Sequence, residues 1–134
     1  DVIGTLTPGS EGSTFGGYPL ASVVGIYAIK TLIEEDLARN ARIRGAQLMN
    51  HFENIKNEFP DKIKEVRGKG LLTAFEMHNS KHLDGHKVSV ELLNNGIYAK
   101  ETHHSTVRIA PALTVSEAHI DQIAGAIRKV VADL

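Results

Sequence analysis

A change of hydrophobic period at Pro60 constrains this chain more than any other feature. Before it, Leu37, Ala41, Gly45, Leu48, Phe52, Ile55 and Phe59 recur at spacings of four and three. That spacing lines one face of a helix from about Asp36 to Phe59. Pro60 stops such a helix, because its ring blocks the preceding turn and it has no N–H to donate. Beyond it, Ile63 and Val66 lead into a turn at Arg67-Gly68-Lys69-Gly70. The short apolar run Leu71 to Met77 that follows is expected as a strand.

The remaining elements fall around this switch. Gly, Ser and Thr dominate Asp1 to Tyr18, which reads as a loop. Pro19 suits the first position of a helix. Leu20, Val23, Val24, Tyr27, Ile29, Leu32 and Ile33 then cover most of that helix's circumference, which predicts burial on more than one side. His86 to Asn94 fits a helix closed by Asn95-Gly96. Ile97 to Lys100 and Thr106 to Ala110 read as short strands around a loop at Glu101 to Ser105. Ser116 can cap a last helix, with Ile120, Ile123, Ala124, Ile127, Val131 and Leu134 as its buried stripe. The expected class is α/β, a two-layer α/β sandwich with helices over one face of a small sheet.

Composition closes off several functions. The 134 residues suffice for an ordinary core. The net charge of −1 carries no footprint for nucleic acid or an anionic membrane. No apolar run reaches the roughly 18 to 20 residues of a bilayer span. There is no cysteine, hence no disulfide framework or thiolate chemistry. The chain begins at Asp1 without a Met or a signal-like segment, which reads as a cut through a longer protein.

Few residues invite chemistry on their own. Gly12-Ser13-Thr14-Phe15-Gly16-Gly17 joins flexible backbone to hydroxyl donors just before a helix, a composition that suits a phosphate, although glycine-rich turns before helices are common and a plain turn is the commoner reading. Arg67-Gly68-Lys69-Gly70 reads as a tight turn with exposed cations, or as an anion contact. Arg108 stands in the apolar strand Val107 to Pro111, where a guanidinium must point outward or pair with an anion. Its planar fork matches a carboxylate. His78, His82 and His86 are spaced by four, and His103 adjoins His104. Asn79, Ser80, Asp84 and Gly85 break any helix there, so a solvated loop without a metal is expected. No serine or lysine stands in a context for nucleophilic catalysis, and no catalytic residue is assigned.

Four segments in register carry a resemblance. They are Gly12 to Gly17 ahead of Pro19, Val66 to Leu72, Asn94 to His103, and Val107 to Pro111. Together, from about Thr7 to Leu134, the chain resembles the carboxy-terminal part of class III aminotransferases, most of all the ornithine-type enzymes. The resemblance implies pyridoxal 5'-phosphate as cofactor and the aspartate-aminotransferase fold, fold type I, working as a homodimer. It implies that residues 1–18 end a large cofactor domain, 19–36 form an interdomain helix and 37–134 form the small domain. It assigns Thr14, with Ser13 beside it, to the cofactor phosphate of the neighbouring subunit. Arg108 is assigned to the α-carboxylate of the amino or 2-oxo acid.

The implied reaction moves the δ-amino group of ornithine to 2-oxoglutarate, giving glutamate-5-semialdehyde and glutamate. The compartment implied is the cytoplasm, or the mitochondrial matrix in a eukaryote with a targeting segment. Acetylornithine or 4-aminobutyrate enzymes, or a non-catalytic interaction module, are the alternatives. Tyr18 replaces the family's usual Asn, and Glu11 its usual His. The family's Schiff-base lysine, its aspartate partner and its stacking aromatic lie upstream, so the chain alone is expected to be inactive.

Overall fold

The structure, a computed structural model, describes residues 3–7, 9–78 and 84–134. It divides into two compact units, 1–36 and 37–134. In the first, a short 3-10 turn at Ile3–Thr5 precedes a loop and helix α1, Pro19–Glu34. Pro19 stands at the start of α1, as its fixed φ favours. The burial expected for α1 is not found. None of its residues is buried, and Val24, Tyr27, Ile29 and Ile33 are all exposed. A helix apolar nearly all round needs surfaces on several sides, and the described residues supply none that bury it.

The second unit begins with α2, Leu37–Glu58, and continues with β1, Ile63–Lys69, and β2, Leu72–Met77. Then come α3, Gly85–Asn94, β3, Lys100–Thr102, β4, Thr106–Ile109, and α4, Glu117–Asp133. The sheet order is β1-β2-β4-β3, every neighbour antiparallel. β2 and β3 therefore run parallel, joined by the α3 crossover, with β4 inserted between them. This is the α/β sandwich the periodicity predicts. Its core lies between the helices and one sheet face: Leu48, Phe52 and Ile55 of α2, Phe75 and Met77 of β2, Val107 and Ile109 of β4, Ile120 and Ile127 of α4. The rings of Phe52 and Phe75 meet edge to face at 5.6 Å between centroids.

Two boundaries differ from the sequence reading. Arg67 to Lys69 are strand, not turn: Arg67 pairs with Ala74, Gly68 with Thr73 and Lys69 with Leu72. Only Gly70 and Leu71 connect the strands, and Gly70 takes a φ of +57° that a side chain would resist. The third strand starts at Lys100 rather than Ile97. The N–H of Ile97 donates back to the carbonyl of Leu92 at 2.8 Å, which closes α3 and withholds residues 97–99 from the ladder.

Candidate functional site

Strand alternation decides where Arg108 points. Val107 and Ile109 are buried against the helices, so Arg108 between them projects from the opposite, open face and is exposed. The register then sets its neighbours. Arg108 stands opposite Ala74 of β2, and Ala74 stands opposite Arg67 of β1. A small residue thus separates two guanidinium groups in one cross-strand row. The next row brings Glu65, Glu76 and Thr106 together. A cavity of about 500 Å³ opens on this face, lined by Arg67, Lys69, Ala74, His103, Thr106 and Arg108 among others.

The two arginines are in different electrostatic states. Arg67 reaches Glu76 at 3.0 Å, Glu65 at 3.4 Å and the Thr106 hydroxyl at 3.3 Å. Lys64 adds a 2.7 Å contact to Glu76. The bonds from Lys64 first, and from Arg67 second, hold the Glu76 carboxyl below the usual glutamate range. The bond to Glu76 raises the Arg67 guanidinium in turn. Two cations and two carboxylates cancel there. Arg108 and Lys69 have no partner among the described residues. They leave the cavity net positive, with one open guanidinium fork.

The strand geometry points Arg108 outward, and its fork stays open to an anion. Arg67 and Lys69, read as turn residues, prove to share its cavity. Glu76 and Thr106 were missed by sequence reasoning. Their signal was present, since alternation along Leu72–Met77 places Glu76 on the face opposite Phe75 and Met77.

In the first unit, Ser13 and Thr14 lie in an exposed loop. The N–H of Gly16 donates to the Ser13 carbonyl at 3.4 Å, and that of Tyr18 to Phe15 at 3.1 Å. These bonds fold the loop on itself at the mouth of α1. Neither hydroxyl has a partner among the described residues. Tyr18, the residue before α1, makes no side-chain capping bond to the helix's first N–H groups. Free hydroxyls and uncapped backbone donors suit an anionic oxygen cluster such as a phosphate. Glu11, the acidic departure, is exposed.

The described histidines do not gather. His78 is exposed at the end of β2. His86 places its Nδ1 3.2 Å from Glu101, and His103 and His104 occupy the β3–β4 turn. His82 lies outside the described residues. Among the described residues, no three His, Cys, Asp or Glu side chains are placed to hold a metal ion.

The whole chain has relatives. It is 38% identical over 131 residues to ornithine aminotransferase 1 of Staphylococcus saprophyticus, covering 98% of this chain and 32% of that protein. To the mitochondrial ornithine aminotransferase of Rattus norvegicus it is 39% identical, covering 98% of this chain and 29% of the relative. The chain therefore spans about a third of the length of the curated relatives it matches. The structure of acetylornithine aminotransferase from Elizabethkingia anophelis superposes with a TM-score of 0.85 at 32% identity, over 99% of this chain and 33% of that one. The ornithine aminotransferase of Toxoplasma gondii gives 0.84 at 36% identity, over 98% and 31%. The sandwich is thus part of the fold type I architecture of pyridoxal-phosphate aminotransferases. Residues 1–131 match the aminotransferase class-III family, and the chain belongs to it.

Proposed function

We propose that this chain forms the carboxy-terminal third of an ornithine-type aminotransferase and supplies its carboxylate-binding arginine. The observation that carries the reading is the open guanidinium of Arg108 beside an arginine already neutralised by Glu76. The site needs a free guanidinium fork for substrate, and the sheet register leaves Arg108 open while Arg67 is compensated.

In this reading Arg108 binds and orients the carboxylate of the amino or 2-oxo acid. Bidentate hydrogen bonding fixes the acid's plane as well as its position. Lys64, Glu76 and Arg67 hold one another, so Arg67 does not compete for the same anion. Ser13 and Thr14 hold the phosphate of pyridoxal 5'-phosphate bound to the neighbouring subunit of a homodimer. Their unpartnered hydroxyls and the uncapped start of α1 fit that group. When bound, the cofactor supplies the electron sink, and the protein supplies position and electrostatics. Residues 1–18 complete a cofactor domain, 19–36 link it and 37–134 form the small domain. The compartment is the cytoplasm, or the mitochondrial matrix in a eukaryote.

The amino donor is ornithine, reacting through its δ-amino group with 2-oxoglutarate. A second reading, an acetylornithine enzyme, draws on the 0.85 TM-score to the Elizabethkingia structure. The intact enzyme, offered ornithine, N-acetylornithine or 4-aminobutyrate with 2-oxoglutarate, separates them. Preferential release of glutamate-5-semialdehyde supports the ornithine reading, and preference for the acetylated donor overturns it. Thr14→Ala should speed cofactor loss on dilution, and an unaltered off-rate would remove Thr14 from the phosphate site.

A further inference from the structure

The turn between β3 and β4 carries the most unusual backbone in the second unit. His103 and His104 sit at φ +52° and +64°, two consecutive non-glycine residues in the left-handed region. Tight hairpin turns use such pairs, but they favour glycine and asparagine there, and two histidines hold that backbone at some cost. Three backbone bonds hold the turn in place. The N–H of Gly85, first residue of α3, donates to the His104 carbonyl at 2.7 Å. Met77, last residue of β2, donates to Ser105 at 2.8 Å, and Ser105 donates to His103 at 2.8 Å. Gly85 permits the approach, since a Cβ there would lie 3.1 Å from the His104 carbonyl oxygen.

The turn is therefore fixed from two sides by other elements. Strained backbone of this kind persists only where the surroundings over-determine it, and it collects at binding sites. What it achieves is visible in the cavity. His103 lines the same space as Arg108, and its side chain is exposed with no partner among the described residues.

We infer that His103 is a second carboxylate-binding group, donating a ring N–H to the oxo acid that Arg108 holds. This rests on the role proposed for Arg108 and deepens it. Arg108 supplies charge and a planar fork. His103, on a pinned turn, adds a directional donor that favours an acid seated between the two. Its role is in acceptor specificity rather than in the chemical step.

The test uses the intact holoenzyme with His103→Gly, His103→Asn, Arg108→Ala and the doubles with Arg108→Ala. Glycine relaxes the left-handed turn and removes the imidazole. Asparagine tolerates the same backbone and keeps an N–H donor. His103→Gly should raise KM for 2-oxoglutarate about tenfold, more than it lowers kcat, and His103→Asn should restore most of the loss. The effects of His103→Gly and Arg108→Ala should be less than additive, as for two groups on one anion. An unchanged KM in His103→Gly overturns the inference, because a residue that only shapes the turn is best replaced by glycine. So does full additivity with Arg108→Ala. An unchanged KM in Arg108→Ala shows instead that the reading of Arg108 has failed, and His103 falls with it.

Discussion

Two glycines show how one residue type acts in opposite ways. Gly45 of α2 belongs to the stripe that was read as core-facing, and it is buried. A Cβ at Gly45 would lie 2.1 Å from the carbonyl oxygen of Gly70. That atom is backbone, so the clash can be relieved only by moving α2 or the β1–β2 connection. Gly125 of α4 faces open space, with nothing within 4 Å of its would-be Cβ. Gly45→Ala should destabilise the chain by about 3 kcal/mol. Gly125→Ala should stabilise it by about 0.5 to 1 kcal/mol, because alanine loses less entropy in a helix. Urea unfolding of both variants checks the contrast, and equal effects would contradict it. The stripe position of Gly45 was legible in the sequence. Its reason was not, because the partner lies 25 residues away across the fold.

Element starts and stops were legible where a side chain acts locally. Ser116 caps α4 as expected, accepting from the N–H of His119 at 3.3 Å. Asp84 caps α3 in the same way, accepting from Lys87 at 2.7 Å, within a stretch whose composition reads as loop. Among residues 79–85 Leu83 is the single large apolar residue, so no apolar period announces where the helix begins. Asp84→Ala should cost about 1 kcal/mol of stability, whereas Asp84→Ser should recover most of it. A melting comparison of the two reads the difference, and equal losses would deny the cap. The late start of β3 was not legible for a similar reason. A backbone bond from Ile97 to Leu92 decided it, and backbone bonds leave no mark on composition. The apolar circumference of α1 was legible, but what covers it was not.

At the scale of the whole molecule, polar couples tie distant elements. Arg44 of α2 meets Glu117 of α4 at 2.8 Å, and Gln47 and His51 both reach Asp121. Arg128 engages Glu58. The bonds from His51 first and Gln47 second hold the Asp121 carboxyl below its usual range. Arg128 lowers Glu58, and Lys64 with Arg67 lowers Glu76. A carboxylate depressed in the folded state protonates first in the unfolded chain. Its contribution is therefore fully present above the ordinary glutamate value of 4.5 and fades as pH falls through the lower folded values. Urea midpoints measured from pH 7 to pH 3 should fall over that window. They should fall less steeply in Glu76→Gln, and an identical slope would count against the network.

The candidate site divides along the same line of legibility. Arg108, Ser13 and Thr14 were visible as residue types in local motifs. The cavity around Arg108 was not, because antiparallel register brings Arg67, Ala74 and His103 to it from two other strands and a turn.

The KM for 2-oxoglutarate in Arg108→Ala of the intact enzyme tests the central claim most directly. If Arg108 is the open fork that holds the acid's carboxylate, KM should rise about a hundredfold. Arg108→Lys should fall between, since lysine keeps the charge and loses the fork. A KM within about twofold of the parent enzyme, against losses of that predicted size, would contradict the account.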